Sequence, residues 1–259
     1  MIQRMKDIYE YRDMVFSLVR RELRGRYQKS VLGMLWTFLN PLAQIVIYTL
    51  VFSVIFDNGM PRYYIYLTVG MIPWTFFSEA VGQGASSVVA NADMTKKIYF
   101  PREILTIASV TAKFVNMLLS FIIVFAFIFI SGLGVNVVVL PWLIPALAAE
   151  YMTALGFALF FSAVTVYLRD MEYIVGVMMM AWIWATPIMY TLDRVSSTVQ
   201  TILRVNPMTN IIEIFHDVLY RKTSPSWEYV LISLGVGLGL LLIGEVVFAR
   251  LEGNFAEEL

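Results

Sequence analysis

The sequence predicts an all-α integral membrane protein: six transmembrane helices, an N-terminal amphipathic interface helix, and short external re-entrant helices before the last span. Three observations carry this. The 259 residues are 59% hydrophobic and 15% charged, with a mean hydropathy of +0.72, a composition typical of membrane-embedded chains. Apolar runs long enough to cross a bilayer recur between short polar turns. The basic residues are segregated, eight of the nineteen Lys and Arg lying in the first thirty positions, and short segments rich in Lys and Arg stay cytoplasmic.

In the first thirty residues Ile8, Tyr11, Val15, Leu18 and Val19 recur at helical spacing, with Arg12, Arg20 and Arg24 mostly off that stripe. This pattern predicts an amphipathic helix over 8–23 at the inner interface, either a surface anchor or a docking element. Charges interrupt the apolar residues there, so no cleaved signal is expected. Span one is placed at 31–56 with a kink at Pro41. A short external turn precedes span two, 64–90, which carries Pro73, Glu79 and the small-residue run GQGASS at 82–87, suited to close helix packing. Span three covers 104–130 and is interrupted by Lys113 and Asn116. Span four covers 141–168, an inner turn RDME follows at 169–172, and span five covers 173–190. Residues 193–227 are then external despite Arg194, Arg204, Arg221 and Lys222, and their apolar stripe after Asn206 and Pro207 predicts amphipathic helices re-entering the bilayer edge as a lid. Span six, 229–249, returns the acidic C-terminus to the cytoplasm, so both termini are expected inside.

The island NADMTKKIYFPRE at 91–103 separates spans two and three, and Lys96, Lys97 and Arg102 place it on the cytoplasmic side. Asn91 or Asp93 is positioned to cap a short helix through Tyr99, which the Phe100-Pro101 step ends. Asp93, Met94, Thr95, Lys96, Lys97, Ile98, Tyr99 and Phe100 have the form of a docking surface for a soluble partner; the plain alternative is a solvated loop.

No Gly-Lys dipeptide occurs, so a GxxxxGK[ST] phosphate loop is absent and any ATP must be bound elsewhere. The chain lacks cysteine, which excludes disulfides and thiolate metal sites. Its single histidine, His216, has no ligand cluster around it in the sequence and is expected on the polar face of an external helix. No catalytic residue, metal site or bound cofactor is expected, and no charge balance suggests nucleic acid.

Several segments are together specific: RYQKSVLGMLWTFLNPL at 26–42, KKIYFPREIL at 96–105, YLRDMEYI at 167–174, TPIMY at 186–190 and NPMTNIIEIF at 206–215. Through them the chain resembles the membrane permease subunits of ABC-2 type polysaccharide exporters, which move lipid-linked O-antigen or teichoic-acid-like polymers. Thr106 stands where such sequences often have proline, and His216 where arginine is common. The resemblance implies a homodimer in the cytoplasmic membrane with two copies of a separate ATPase subunit, which would hold ATP and Mg. It also implies that residues 93–99 are the coupling helix seated in that ATPase, with the N-terminal helix packed nearby.

Two further sets of residues follow. Gln44, Tyr48, Phe52 and Phe56 recur every four residues on span one, and Trp182, Trp184 and Tyr190 gather on span five. Sugar rings pack their C–H faces on aromatic rings, and in the resembled family spans one and five flank the channel, so these are candidate passage residues; interfacial anchoring and helix packing are the alternatives. Glu79 lies twelve positions before Asn91 and Lys113 eleven after Arg102 on antiparallel spans, which puts both roughly 17 Å above the inner end. An intramembrane ion pair is expected; the alternatives are a Lys113 that snorkels and a Glu79 that faces water. Other readings are an ABC-2 exporter of a drug or small lipid, a membrane glycosyl- or acyltransferase, for which no Asp-x-Asp motif is present, and a non-transporting assembly subunit.

Overall fold

A computed structural model describes residue 6 and residues 8–25, 32–55 and 59–259. Phe56, one candidate passage residue, lies outside these, as does the 26–31 part of the first motif. Among the described residues the regular structure is entirely helical. The helices are α1 (Arg12–Gly25), α2 (Trp36–Thr49, prolonged by wider π turns over Leu50–Ile55), α3 (Tyr63–Ala90), α4 (Ala92–Lys97), α5 (Glu103–Ile130) and α6 (Leu143–Tyr167). They continue as α7 (Met171–Trp182), α8 (Ser197–Val205), α9 (Pro207–His216), α10 (Trp227–Leu251) and α11 (Phe255–Glu258).

Four described stretches are long and apolar enough to cross a bilayer: Trp36–Ser53, Glu103–Ile130, Leu140–Tyr167 and Trp227–Asn254. Helix α3 is as long as α5, 28 residues, and is the bundle's centre, packed by α2, α5, α6, α7 and α9. The apolar stretch Met171–Ala185 is shorter, about 22 Å long at 1.5 Å per residue. It stops there because Thr186 becomes extended, as the residue before a proline is pushed to be. Tyr190, placed at the end of span five by the sequence, therefore lies beyond that helix. The protein is an all-α, multi-pass integral membrane protein.

Small residues set the closest approaches. A Cβ on Gly156 of α6 would come within 2.5 Å of the Leu240 backbone on α10, and Gly244 touches Gly156 in turn. Gly84, from the small-residue run, faces Ala158 on α6 with room for no more than hydrogen, whereas Gly82 faces open space. Beside this contact Ser87 Oγ and Thr106 Oγ1 lie 2.9 Å apart, and Thr106 Oγ1 donates to Ser162 Oγ at 3.1 Å. Hydroxyls thus join three helices here.

The segment before α10 differs from expectation. Helix α9 is buried: Met208, Ile211, Ile212, Ile214, Phe215 and His216 are all enclosed, against α3, α6 and α10. His216, expected on a polar face, is fully buried. Its ring stacks on Tyr66 with centroids 3.8 Å apart, and Nε2 sits 3.1 Å from the Tyr66 carbonyl oxygen. Gly70 leaves the slot, since a Cβ there would meet His216 Nε2 at 3.1 Å. The basic residues of this segment have internal partners: Arg221 donates to Glu213 at 2.8 Å and Asp217 at 2.7 Å. Lys222 donates to the Leu133 carbonyl, and Arg204 lies over the Tyr229 ring.

Candidate functional site

The charged island forms an arm between the two 28-residue helices. At its start Asn91 ends α3: its Nδ2 donates to the Ser87 carbonyl at 2.8 Å, and its Oδ1 accepts from Arg21 of α1 at 2.7 Å. The side chain does not cap α4; its carbonyl does the turning, accepting from the amides of Met94 and Thr95, both at 3.0 Å. Asp93 in the first turn and Lys96 and Lys97 in the last match the helix dipole.

The helix is shorter than the sequence suggests. It ends at Lys97, and Ile98 is extended, with φ −129° and ψ 136°. The chain leaves the helical path there, and the apolar edge splits. Ile98 is 55% and Tyr99 95% exposed, while Phe100 is 5% exposed and packs with Leu18 and Val19 of α1 and Ile104 and Leu105 of α5. Phe100 is consequently part of the fold and not of a docking edge. Asp93, Lys96 and Lys97 are exposed, Met94 half-buried and Thr95 buried.

Two further elements brace the arm. The stripe of α1 lies on the first turns of α5, burying Leu18 and Val19, and Tyr11 Oη reaches the Tyr99 carbonyl at 3.5 Å. On the other side Arg102 donates to the Glu252 carbonyl and its guanidinium lies 5.8 Å from the ring centre of buried Phe255. The Tyr167 hydroxyl donates to Leu251 O at 2.7 Å. Between these braces is an open cavity of about 910 Å³, lined by residues 95–103, Glu10, Tyr11, Glu252 and Gly253.

The other candidate residues fall into two places. Lys113 Nζ lies 3.0 Å from Glu79 Oε2, with the lysine side chain 4% and the glutamate 37% exposed. Gln44 lines the same cleft between α2, α3 and α5. Tyr48 and Phe52 instead pack against the core, Phe52 with its ring 6.4 Å from that of Tyr63 on α3. On α7, Trp182 is held edge-on against Phe77 and Phe157, each at 5.4 Å. Trp184 is 58% exposed, and Tyr190 Oη donates to its carbonyl at 3.1 Å. Gln44, Glu79 and Lys113 share one cleft, Trp184 and Tyr190 are joined outside it, and Trp182 packs against Phe77 and Phe157. Asn40 and Gln83, which also border this polar region, were not singled out by the sequence, although amides inside apolar spans are a signal for it. Among the described residues no group of three or more His, Cys, Asp or Glu could hold a metal ion.

Comparison with known proteins adds to this geometry. Residues 14–220 match the ABC-2 type transporter family. The chain is 31% identical, over the full length of both proteins, to the O-antigen export system permease protein RfbA of Myxococcus xanthus. It is 29% identical to the protein of the same name from Klebsiella pneumoniae, over 95% of each. To the polysialic acid transport protein KpsM of Escherichia coli it is 23% identical, over 87% of this chain and 91% of the relative. The chain belongs to the ABC-2 type transporter family.

Proposed function

We propose that the protein is the channel-forming half of an ATP-driven exporter that moves lipid-linked polysaccharide, O-antigen or teichoic-acid-like, across the cytoplasmic membrane. Two copies of this chain form the passage, each crossing the membrane six times with both termini cytoplasmic. Two copies of a separate ATPase subunit sit against the α4 face and hold ATP and Mg. The observation that carries the reading is the arm itself. Helix α4 follows α3 after one residue and leads to α5 through residues 98–102; the arm is braced by Arg21 and Arg102 and presents Ile98 and Tyr99 to solvent. A rigid lever on two long helices must move both when its seat moves. Burying each of those side chains in a partner would contribute about 1.5–3 kcal/mol.

The names of the relatives support the cargo. Export of a drug or small lipid is the competing reading, and the polar residues between α2, α3 and α5 favour a hydrophilic load over it. The complex, purified with its ATPase and placed in lipid nanodiscs, tests the choice. Glycan-bearing polyprenyl diphosphate is expected to stimulate ATP hydrolysis, and small amphiphiles are not. Stimulation by the amphiphiles alone would reverse the assignment.

A further inference from the structure

The cleft beside the Glu79–Lys113 pair has chemistry that the export reading does not by itself explain. A cavity of about 290 Å³ runs between α2, α3 and α5 and includes Asn40, Gln44, Glu79, Lys113 and Asn116. A second, of about 380 Å³, is bordered by Arg21, Glu22 and Gln83. Both are lined by Lys113 and Asn116. Together they extend along α3 from Gln83 to Ile72, eleven residues or about 17 Å. The path therefore leads from the α1 side toward the middle of the bundle.

Its lining among the described residues is polar without a net charge. Lys113 and Glu79 neutralise one another, and Arg21 and Glu22 bring one charge of each sign to the mouth. The amides of Asn40, Gln44, Gln83 and Asn116 have no hydrogen-bond partner among the described residues, while the hydroxyls of Thr75 and Ser120 are bonded to their own helices. Amides at span depth with no partner among the described residues are poorly suited to face lipid, because hydrocarbon offers them none. An amide presents a donor and an acceptor together, which is what a sugar hydroxyl also presents. A charge-balanced wall selects neither anion nor cation. Trp36, 42% exposed at the rim, supplies an aromatic face.

We infer that the α2–α3–α5 cleft is a saccharide-binding wall of the passage, in which Asn40, Gln44, Gln83 and Asn116 exchange hydrogen bonds with neutral sugar units. The inference rests on the export reading and specifies where the glycan, as distinct from its lipid carrier, is held.

The test uses the intact complex in nanodiscs and single cysteines at Gln83 or Asn40 in the otherwise cysteine-free chain. A water-soluble maleimide is expected to label both. Lipid-linked glycan extracted from cells carrying the transporter should slow labelling, and sugar-free polyprenyl diphosphate should not. In the same preparation the double variant Gln44→Leu, Asn116→Leu should raise the glycan concentration giving half-maximal ATPase stimulation about tenfold, as for the loss of two hydrogen bonds. Absence of labelling without ligand would mean that the cleft is dry or covered by the second copy, and would overturn the proposal. So would equal protection by the sugar-free carrier, which would assign the cleft to lipid. Normal stimulation of unmodified protein by the extract, with labelling unprotected and the double variant unchanged, would remove the cleft and leave the export reading standing. No stimulation of the unmodified protein by the extract would remove both.

Discussion

The Arg21 guanidinium donates to the Asn91 side-chain oxygen at 2.7 Å, tying the amphipathic helix α1 to the hinge where α3 hands over to α4. Asn91 also holds the last turn of α3 through Ser87 and the first turn of α4 through its backbone carbonyl, so one residue joins three helices. Arg21→Ala should loosen α4 without unfolding the bundle, costing about 1–2 kcal/mol for a partly exposed charge-assisted bond. The expected result is transport that falls more than ATP hydrolysis. Equal loss of both would place Arg21 outside the coupling path.

The split of the apolar edge gives a second expectation. Ile98→Ala and Tyr99→Ala remove exposed side chains, so folded yield should hold while co-purification of the ATPase weakens. Phe100→Ala removes a buried ring between α1 and α5 and should cost about 3–5 kcal/mol of stability. Thermal melting of the three purified variants separates the roles; a melting loss for Tyr99→Ala as large as for Phe100→Ala would contradict the structure.

For the Glu79–Lys113 pair, Glu79→Gln or Lys113→Met leaves one charge without its partner at bilayer depth. The loss should be about 1–3 kcal/mol, below that of a wholly buried pair because Glu79 is 37% exposed. The double variant should recover much of it. Strictly additive losses in folded yield would show that the pair contributes nothing as a pair.

Glycine positions offer an internal control. Gly156→Ala must push α10 away from α6, since its Cβ would meet backbone at 2.5 Å, and should lower the melting temperature. Gly176→Ala on α7 meets nothing within 4 Å and should be neutral or stabilising by up to about 1 kcal/mol. Opposite behaviour would reject the α6–α10 contact.

A buried group without a partner sets a further expectation. Glu150 of α6 is fully enclosed and neither carboxyl oxygen has a hydrogen-bond partner among the described residues. Such burial costs free energy, so Glu150→Leu should leave thermal stability unchanged or raise it. A clear drop in melting temperature would mean that the carboxyl is satisfied in the assembled protein.

Much of this architecture is legible in one dimension because a bilayer imposes it: long apolar runs, a charged island and the depths of Glu79 and Lys113 follow from counting residues along helices. What escaped counting depends on backbone direction and on enclosure. The turn from helix to extended chain after Lys97 sends Phe100 inward, and a helical reading through Tyr99 cannot show it. His216 looked polar, yet the slot left by Gly70 beneath the Tyr66 ring takes it into the core. The aromatic residues of α2 and α7 likewise share a spacing pattern with packing seams, and only their neighbours distinguish Trp182, wedged between Phe77 and Phe157, from exposed Trp184.

The central claim is that the α4 arm is where the ATPase sits, and proximity at Tyr99 measures it directly. Tyr99→Cys in the cysteine-free chain, treated with a short bifunctional reagent that joins cysteine to amines, should cross-link to the ATPase subunit and halt transport. Trp184→Cys, exposed beyond α7, should do neither. An intact, ATP-hydrolysing complex that gives no cross-link at Tyr99, or as strong a cross-link at Trp184, would contradict the account.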